Sequence, residues 1–536
     1  MRVPAKIYLI FPVLILMLLQ HPASGQEMRV YDFSFVRDIS PWLTSGNYAG
    51  LGTLPTDRIA AAEMFFNKSD GGLAGIEESG DSWQAGAYTE SNVRISDRIA
   101  FCGKLSYTNF RGKDMGGPVL MDPSYNPVNF LESTDTTAGM KTKELYLLRG
   151  GISYSFSEKW SIGAGISYEA GNYAKRKDPR FLNSWMDMDV SAGVRFAPSD
   201  RFSAGLDLEY RKTVESVYGD IYGTSNNMYY ILVDYGGYFG YREQFDGDNG
   251  MVSTSGARPM FNSFMGGSLQ LDFKGRGGLR FFNEFTYLRR SGYYGNRGSG
   301  SVVRTEHSGN TVSWRGIILF GGNAAMHRLT LSGDFSTLDN FRNNYSESTV
   351  PGESTEVVYH GRTRTLDRSD FSAEAIYHGY FGVRDNYPEW EAGAGIHAEG
   401  RYFTASSYPF FRRQDVTAFR CGIFIKKNFL KGKNIISAGA EAGFMKGFGT
   451  AAEDGEYVSS TSASPWSGDS YLLRDFEFRT AARLGGGLSL RYTRILRNNL
   501  GIYAGVRDRL DHTLAPAAAL QSGFRNVLEI SAGCTF

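Results

Sequence analysis

Apolar and polar residues alternate along most of this chain, in segments that recur from Arg58 to the C-terminus. Each segment is about ten residues long, the length a strand needs to cross a bilayer at a tilt. The clearest is Arg201 to Arg211. There Phe202, Ala204, Leu206, Leu208 and Tyr210 point one way, and Ser203, Gly205, Asp207, Glu209 and Arg211 point the other. The pattern returns at Ser268 to Phe273, where Leu269, Leu271 and Phe273 oppose Ser268, Gln270 and Asp272. It returns again at Leu329 to Ser336, where Leu329, Leu331 and Phe335 oppose Thr330, Ser332, Asp334 and Ser336. One face of each strand suits an oily medium and the other suits water.

The links between segments alternate in length. Tight ones at Ser157-Glu158-Lys159, Pro198-Ser199-Asp200, Gly275-Arg276-Gly277, Lys431-Gly432-Lys433 and Arg497-Asn498-Asn499 suit antiparallel hairpins. Long polar links lie at 111–142, 172–184, 214–260, 292–307, 340–365, 449–470 and, more compactly, 406–412 and 513–522. Strands are expected near 58–68, 82–92, 98–110, 143–156, 160–171, 185–197, 201–213, 261–274, 277–291, 308–321, 326–339, 366–382, 389–405, 413–429, 434–448, 471–494, 499–512 and 523–536. The implied fold is all-β, a transmembrane antiparallel up-and-down β-barrel of about 18 strands within a range of 16 to 20. Its short turns would be periplasmic and its long loops extracellular, and an even count closes the circuit. A further hairpin around Tyr229 to Tyr241 would raise the count to about 20. A soluble propeller is the alternative, but it packs both sheet faces and has nowhere to hide the charged rows.

Both ends of the chain agree with this reading. Arg2 and Lys6 precede an apolar run from Ile7 to Leu19, too short to span a bilayer, and Ala23-Ser24-Gly25 supplies small residues for cleavage. Residues 1–25 are read as a signal peptide, 26–57 as an N-terminal periplasmic or plug segment, and 58–536 as the barrel. In the last strand Phe524, Leu528, Ile530, Ala532, Cys534 and Phe536 share one face, opposite Arg525, Val527, Glu529, Ser531, Gly533 and Thr535. A terminal aromatic on an amphipathic strand resembles the signal read by the bacterial barrel-assembly machinery, which with outer-membrane lipid is an expected partner. That assigns Phe536, Cys534, Ile530 and Leu528 to assembly and places the protein in the outer membrane.

Composition narrows the functions. The 65 Gly, 37 Phe and 32 Tyr suit twisted strands and tight turns. The 57 basic and 56 acidic residues nearly cancel, leaving no long-range field for nucleic acid. Cys102, Cys421 and Cys534 are an odd number inside expected strands, which is no disulfide framework, and they read as small apolar fillers. Among His307, His327, His360, His378, His397 and His512 none sits in a metal or nucleophile motif, although His378 and His397 lie on adjacent strands. Asp246-Gly247-Asp248-Asn249-Gly250 hints at calcium, but Ala257 stands where an EF-hand needs Glu. Neither an enzyme nor a resident cofactor is expected.

If the apolar rows face lipid, the other rows line a lumen. That face holds Asp207, Glu209, Arg211, Asp272, Arg280, Glu284, Arg420, Glu477, Arg479, Arg483, Arg491, Arg507, Arg525 and Glu529. Arg479, Arg483, Arg491, Arg507 and Arg525 form a stripe that either favours anionic or carboxylate-bearing solutes or pairs with acids and stiffens the wall. In the long link 214–260, Tyr229, Tyr230, Tyr235 and Tyr238 offer either an outside aromatic surface or rings that pack the loop onto itself.

Trp42, Asn47 and the run Ala49-Gly50-Leu51-Gly52 give the segment before the barrel an ordered look. Asn47-Tyr48-Ala49-Gly50-Leu51 is similar to the Asn-Pro-Ala-Gly-Leu stretch of the long-chain fatty acid transporter family of outer-membrane barrels. That resemblance implies an N-terminal hatch inside the lumen, with Trp42, Asn47 and Gly50 in it. The sequence departs from that family at Tyr48 and in having more strands. Over its whole length the chain resembles outer-membrane barrels of Bacteroidota classed as domains of unknown function. The expected function is permeation or transport of small solutes or hydrophobic ligands, the alternatives being a barrel that displays loops or anchors a partner and, least favoured, a barrel enzyme. A receptor of the energised TonB-dependent kind needs a barrel of about 22 strands and a globular plug, more chain than this.

Overall fold

A computed structural model describes residues 32–132, 135–220, 228–245, 250–252, 258–298, 300–322, 324–349, 355–384, 386–496 and 500–536. The strands are β1 (Arg58–Asp70), β2 (Asp81–Arg94), β3 (Ile99–Met115), β4 (Asn129–Glu132), β5 (Gly139–Ser155), β6 (Trp160–Lys175), β7 (Arg180–Ser199), β8 (Phe202–Asp220), β9 (Tyr230–Asp234), β10 (Phe239–Gln244) and β11 (Met260–Lys274). They continue with β12 (Arg280–Gly295), β13 (Val303–Gly322), β14 (Ala325–Ser348), β15 (Glu356–Phe381), β16 (Trp390–Ser407), β17 (Phe410–Lys431), β18 (Asn434–Glu456), β19 (Trp466–Ser467), β20 (Arg483–Ile495), β21 (Gly501–Thr513) and β22 (Phe524–Thr535). Two α-helices are α1 (Phe33–Asp38) and α2 (Asp469–Thr480).

All but β4, β9, β10 and β19 form one 18-stranded antiparallel sheet. It closes on itself because β1 pairs with β2 on one side and with β22 on the other. Closure leaves no edge, so every backbone donor and acceptor at bilayer depth finds a partner. Alternation decides which face meets lipid. On β8, Leu206 and Leu208 are 54% and 69% exposed on the outside while Asp207 between them is 2% exposed. Met64, Met265, Ile396, Ile423 and Leu488 stand on the same outer belt. Trp160 against Phe196 and Phe202 against Phe273 stack beside the short turns, where aromatic girdles sit in barrels of this kind. This is an outer-membrane type of β-barrel.

Each expected strand segment contains a barrel strand, with two corrections. The stretch 471–494 is strand only from Arg483; its first half is helix α2, so Glu477 and Arg479 are not wall residues. A hairpin does occupy Tyr229 to Tyr241, as β9 and β10, but it leaves the count at eighteen because it joins a separate sheet, in the order β19-β10-β9-β4. The Arg497-Asn498-Asn499 turn and residues 1–31 lie outside the described residues.

That small sheet lies within the outer end of the barrel. Val119, Phe130, Ile231, Val233 and Phe245 pack against wall residues Tyr173, Phe181, Val217, Met260 and Tyr294. On the opposite side Phe239 meets Leu338, Leu366, Phe403 and Ala405. The sheet therefore crosses from the β6–β12 wall to the β14–β16 wall. Glu132 of β4 fastens it, ion-paired to Lys141 at 3.3 Å and to Lys175, with all three side chains fully buried. Arg412 holds the far end, donating to Gly237 O at 3.1 Å and Asp454 Oδ1 at 2.7 Å.

Candidate functional site

An 18-stranded barrel is wide enough to enclose an aqueous channel, so whatever fills it sets its use. At the short-turn end the filling is the segment Asp32–Leu54. Trp42 is buried, donates from Nε1 to Asp272 Oδ2 at 2.8 Å and meets Phe282 edge-on at 5.3 Å. Asn47 Nδ2 donates to Val194 O at 3.0 Å and Gln270 Oε1 at 2.9 Å, while its Oδ1 accepts from Ala49 N at 3.0 Å and so caps the next turn. Gly46 N donates to Glu284 Oε1 at 3.0 Å, and Arg315 bridges Thr44 O and Glu284 at 2.7 and 2.6 Å. Ser153 and Ser161 both donate to Ala49 O. Asp38 takes Arg328 at 3.3 Å and the Tyr380 hydroxyl at 2.8 Å. Gly50 is glycine because a Cβ there would come within 2.6 Å of the Trp42 ring.

Tyr48, the second residue of the run Asn47–Leu51, lies flat on the wall. A Cβ on Gly151 or Gly165 would come within 2.1 or 2.2 Å of its ring. The fit depends on glycines about a hundred residues away that become neighbours only through the β5–β6 register, Gly151 opposite Gly165. No local signal in the sequence marks it.

The lumen residues expected from alternation divide into two groups. Asp207, Glu209, Arg211, Asp272, Arg280 and Glu284 stand on β8, β11 and β12 beside the N-terminal segment. Here Arg280 pairs with Asp272 at 2.8 Å, Arg211 with Asp187 at 2.6 Å, and Gln270 Nε2 donates to Asp207 at 2.5 Å. Arg483, Arg491, Arg507, Arg525 and Glu529 stand on β20–β22, far around the wall. Arg479 belongs to neither group. On α2 it pairs with Asp475 one turn away at 3.0 Å. Arg491 lies 3.4 Å from the Tyr503 ring centre.

The loop aromatics do not form an outside surface. Tyr235 is buried and Tyr229 packs against the same core, while the Tyr230 ring carries Arg242 at 5.0 Å. Tyr238 sits at a positive φ of 58° in the β9–β10 turn, and its carbonyl accepts from Gly468 N at 2.8 Å. In the last strand Leu528, Ile530 and Cys534 share the lipid face, while Phe536 exchanges backbone hydrogen bonds with Ala60 and carries Arg58 over its ring at 5.4 Å. His378 and His397 do not meet: the register sets His378 opposite Gly393 and His397 opposite Glu374. Each has its own carboxylate, Glu391 at 3.4 Å and Glu399 at 3.3 Å. Among the described residues no group of three or more His, Cys, Asp or Glu is placed to hold a metal ion. Asp246 to Asn249 lie outside them.

Against β16–β22 two joined cavities of about 400 and 340 Å³ remain open. The lumen is thus filled at both ends over β5–β16, while along the remaining wall the two cavities lie beside helix α2, which packs on β17 and β18.

No curated protein matches the chain. Among solved structures, a variant of the ferric enterobactin receptor from Pseudomonas aeruginosa aligns at 9% identity and a TM-score of 0.39, covering 90% of this chain and 82% of that one. The ferric-catecholate import receptor from E. coli K12 aligns at 9% and 0.38, covering 89% and 81%. The ferric preacinetobactin receptor from Acinetobacter baumannii gives 9% and 0.36, covering 89% and 80%. Likeness of that size says nothing of function. The family model is different in kind, for it matches residues 48–536, from the Tyr48 turn through every barrel strand to the terminal Phe536, and the chain accordingly belongs to the family of unknown function DUF6850.

Proposed function

We propose that this protein moves small solutes across the outer membrane through a lumen whose periplasmic end is gated by its own N-terminal segment. One observation supports this above the others: the segment Asp32–Leu54 is held to a charged wall by a row of side-chain hydrogen bonds and ion pairs, alongside the apolar contacts of Phe35, Val36, Trp42 and Leu54. The polar contacts exchange readily with water, which lowers the cost of releasing the segment. In this reading residues 1–25 are a cleaved export signal, 26–57 a hatch and 58–536 the barrel. Leu528, Ile530, Cys534 and Phe536 present the insertion machinery with its signal. Deleting residues 26–57 should raise single-channel conductance in planar bilayers at least tenfold over the closed wild-type barrel, as expected of a barrel this wide. Unchanged conductance from a correctly inserted barrel would remove the hatch.

One feature favours the display alternative. The β14–β15 hairpin runs on past its neighbours, with Val358 and Tyr359 exposed. Trimming residues 343–362 would abolish binding of cells or a partner, with permeability unchanged, if display is the function.

A further inference from the structure

The inner wall carries two glycine floors, and only one is occupied. The occupied one is Gly151 and Gly165 under Tyr48. The other crosses four strands, with Gly395, Gly422, Gly443 and Gly485 in direct register on β16, β17, β18 and β20. A Cβ on Gly395, Gly422 or Gly443 would meet nothing closer than 3.2 Å. Packing does not require glycine at Gly395 or Gly422 and would need a shift of only a few tenths of an ångström at Gly443, so the effect of the row is to keep the space above it open.

What makes this more than a thin stretch of wall is the pair of cavities that meet there. They share Arg420, Cys421, Gly443, Gly485 and Arg509. The larger is basic, with Arg420, Arg483, Arg507, Arg509 and Arg525 facing Glu78, Asp511 and Glu529. Four of those guanidiniums have carboxylate partners: Arg420 with Glu399 at 2.9 Å, Arg507 with Glu441 at 2.5 Å, Arg509 with Asp511 at 3.0 Å and Arg525 with Glu78 at 2.5 Å. Arg483 has none among the described residues. It donates only a long bond to Phe478 O at 3.4 Å and lies over the Phe478 ring at 4.8 Å. A guanidinium without a carboxylate partner, beside a cavity, recognises carboxylates with two parallel hydrogen bonds. The smaller cavity is lined by Ile376 and Phe424, together with Glu374, Glu441 and His397. Its carboxylates repel a second negative charge while its apolar side chains accept a ring.

We propose that the joined cavities bind a flat organic monoanion, a carboxylate carried on an aromatic ring. The carboxylate meets Arg483 and Arg420, and the ring lies on the open glycine floor as the Tyr48 ring lies on the other. For the passage of such a solute the proposal rests on the transport reading; for its binding it does not.

The test is titration of 2-naphthoate into the folded full-length barrel in detergent micelles, read by fluorescence anisotropy against empty micelles. Saturable binding is expected, with no competition from neutral 2-naphthylmethanol. Arg483→Gln should weaken binding by about tenfold, the usual weight of one charge-assisted contact. Gly443→Leu should abolish it, with heat-modifiable gel mobility showing that each variant barrel is closed. No saturable binding by the wild type, equal competition by the alcohol, or wild-type affinity in Arg483→Gln would each overturn the site. Liposome uptake of 2-naphthoate separates the two claims: binding without uptake sinks the transport reading and leaves the site, whereas conductance without binding does the reverse.

Discussion

The two fillings of the lumen are built on opposite principles. The N-terminal segment touches the wall through side-chain hydrogen bonds, ion pairs and three separate aromatic contacts, Phe35 on Tyr380, Trp42 on Phe282 and Tyr48 on Gly151 and Gly165. The outer sheet has a hydrophobic core of its own, sixteen buried side chains continuous with the wall, and its charges are buried locks such as Lys141-Glu132-Lys175. A polar interface can open into water at little cost, whereas an apolar one resists in proportion to its area. On the proposed reading the short-turn end, with the larger share of polar contacts, is the movable end and the long-loop end a fixed cover.

The strongest way to break that contrast is to cut the lock. Glu132→Gln leaves Lys141 and Lys175 buried without their carboxylate, and removing one partner of a buried pair costs about 3–5 kcal/mol. Amide hydrogen exchange in β4 and β9 should accelerate a hundredfold or more, about the factor that energy implies, while β5 and β6 stay protected. Unaltered exchange would mean the outer sheet is held by its apolar core alone. A smaller effect is expected at the other end, where Trp42→Phe keeps the ring and removes the hydrogen bond to Asp272. A bond to a charged acceptor is worth about 1.5–3 kcal/mol, so brief conducting openings should become roughly ten times more frequent in bilayer recordings. If the openings do not change, the segment is anchored elsewhere. The smallest effect concerns acid. Burial pushes the Asp234 carboxyl up to about 6 although Gly236 N and Phe239 N donate to it at 2.9 and 3.0 Å. The folded sheet therefore binds this proton more tightly than the free chain does. Its contribution to the β9–β10 turn is complete below the ordinary Asp range and is lost as pH rises through about 6. Protease nicking near Tyr238 should thus be slower at pH 4.5 than at pH 7.5, and Asp234→Asn should flatten that difference.

How much of this was legible beforehand follows from what the membrane demands. Lipid on one side and a charged lumen on the other force a period of two on every wall strand, so the eighteen strands, and the inward side of Asp207 or Arg525, could be read directly. Inside the lumen that demand disappears. Phe476 and Phe478 alternate with Glu477 and Arg479 as in a strand, yet the segment satisfies its backbone internally as α2. The tyrosines of β9 and β10 marked a hairpin, but nothing local said that it folds inward. Trp42, Asn47 and Gly50 showed order at the N-terminus. The glycine floors stayed hidden because they exist only across strands, through pairings such as Gly422 with Gly443.

The outer sheet takes its four strands from three separate connections, β4 before β5, β9 and β10 between β8 and β11, and β19 before α2. Interlocking of that kind removes the independence that surface loops ordinarily have. An insertion that suits one connection must also keep the pairing of Phe130 with Val233 and of Phe239 with Ser467, contributed by the other two. The β14–β15 hairpin, which contributes no strand to that sheet, keeps the independence that the three connections have lost.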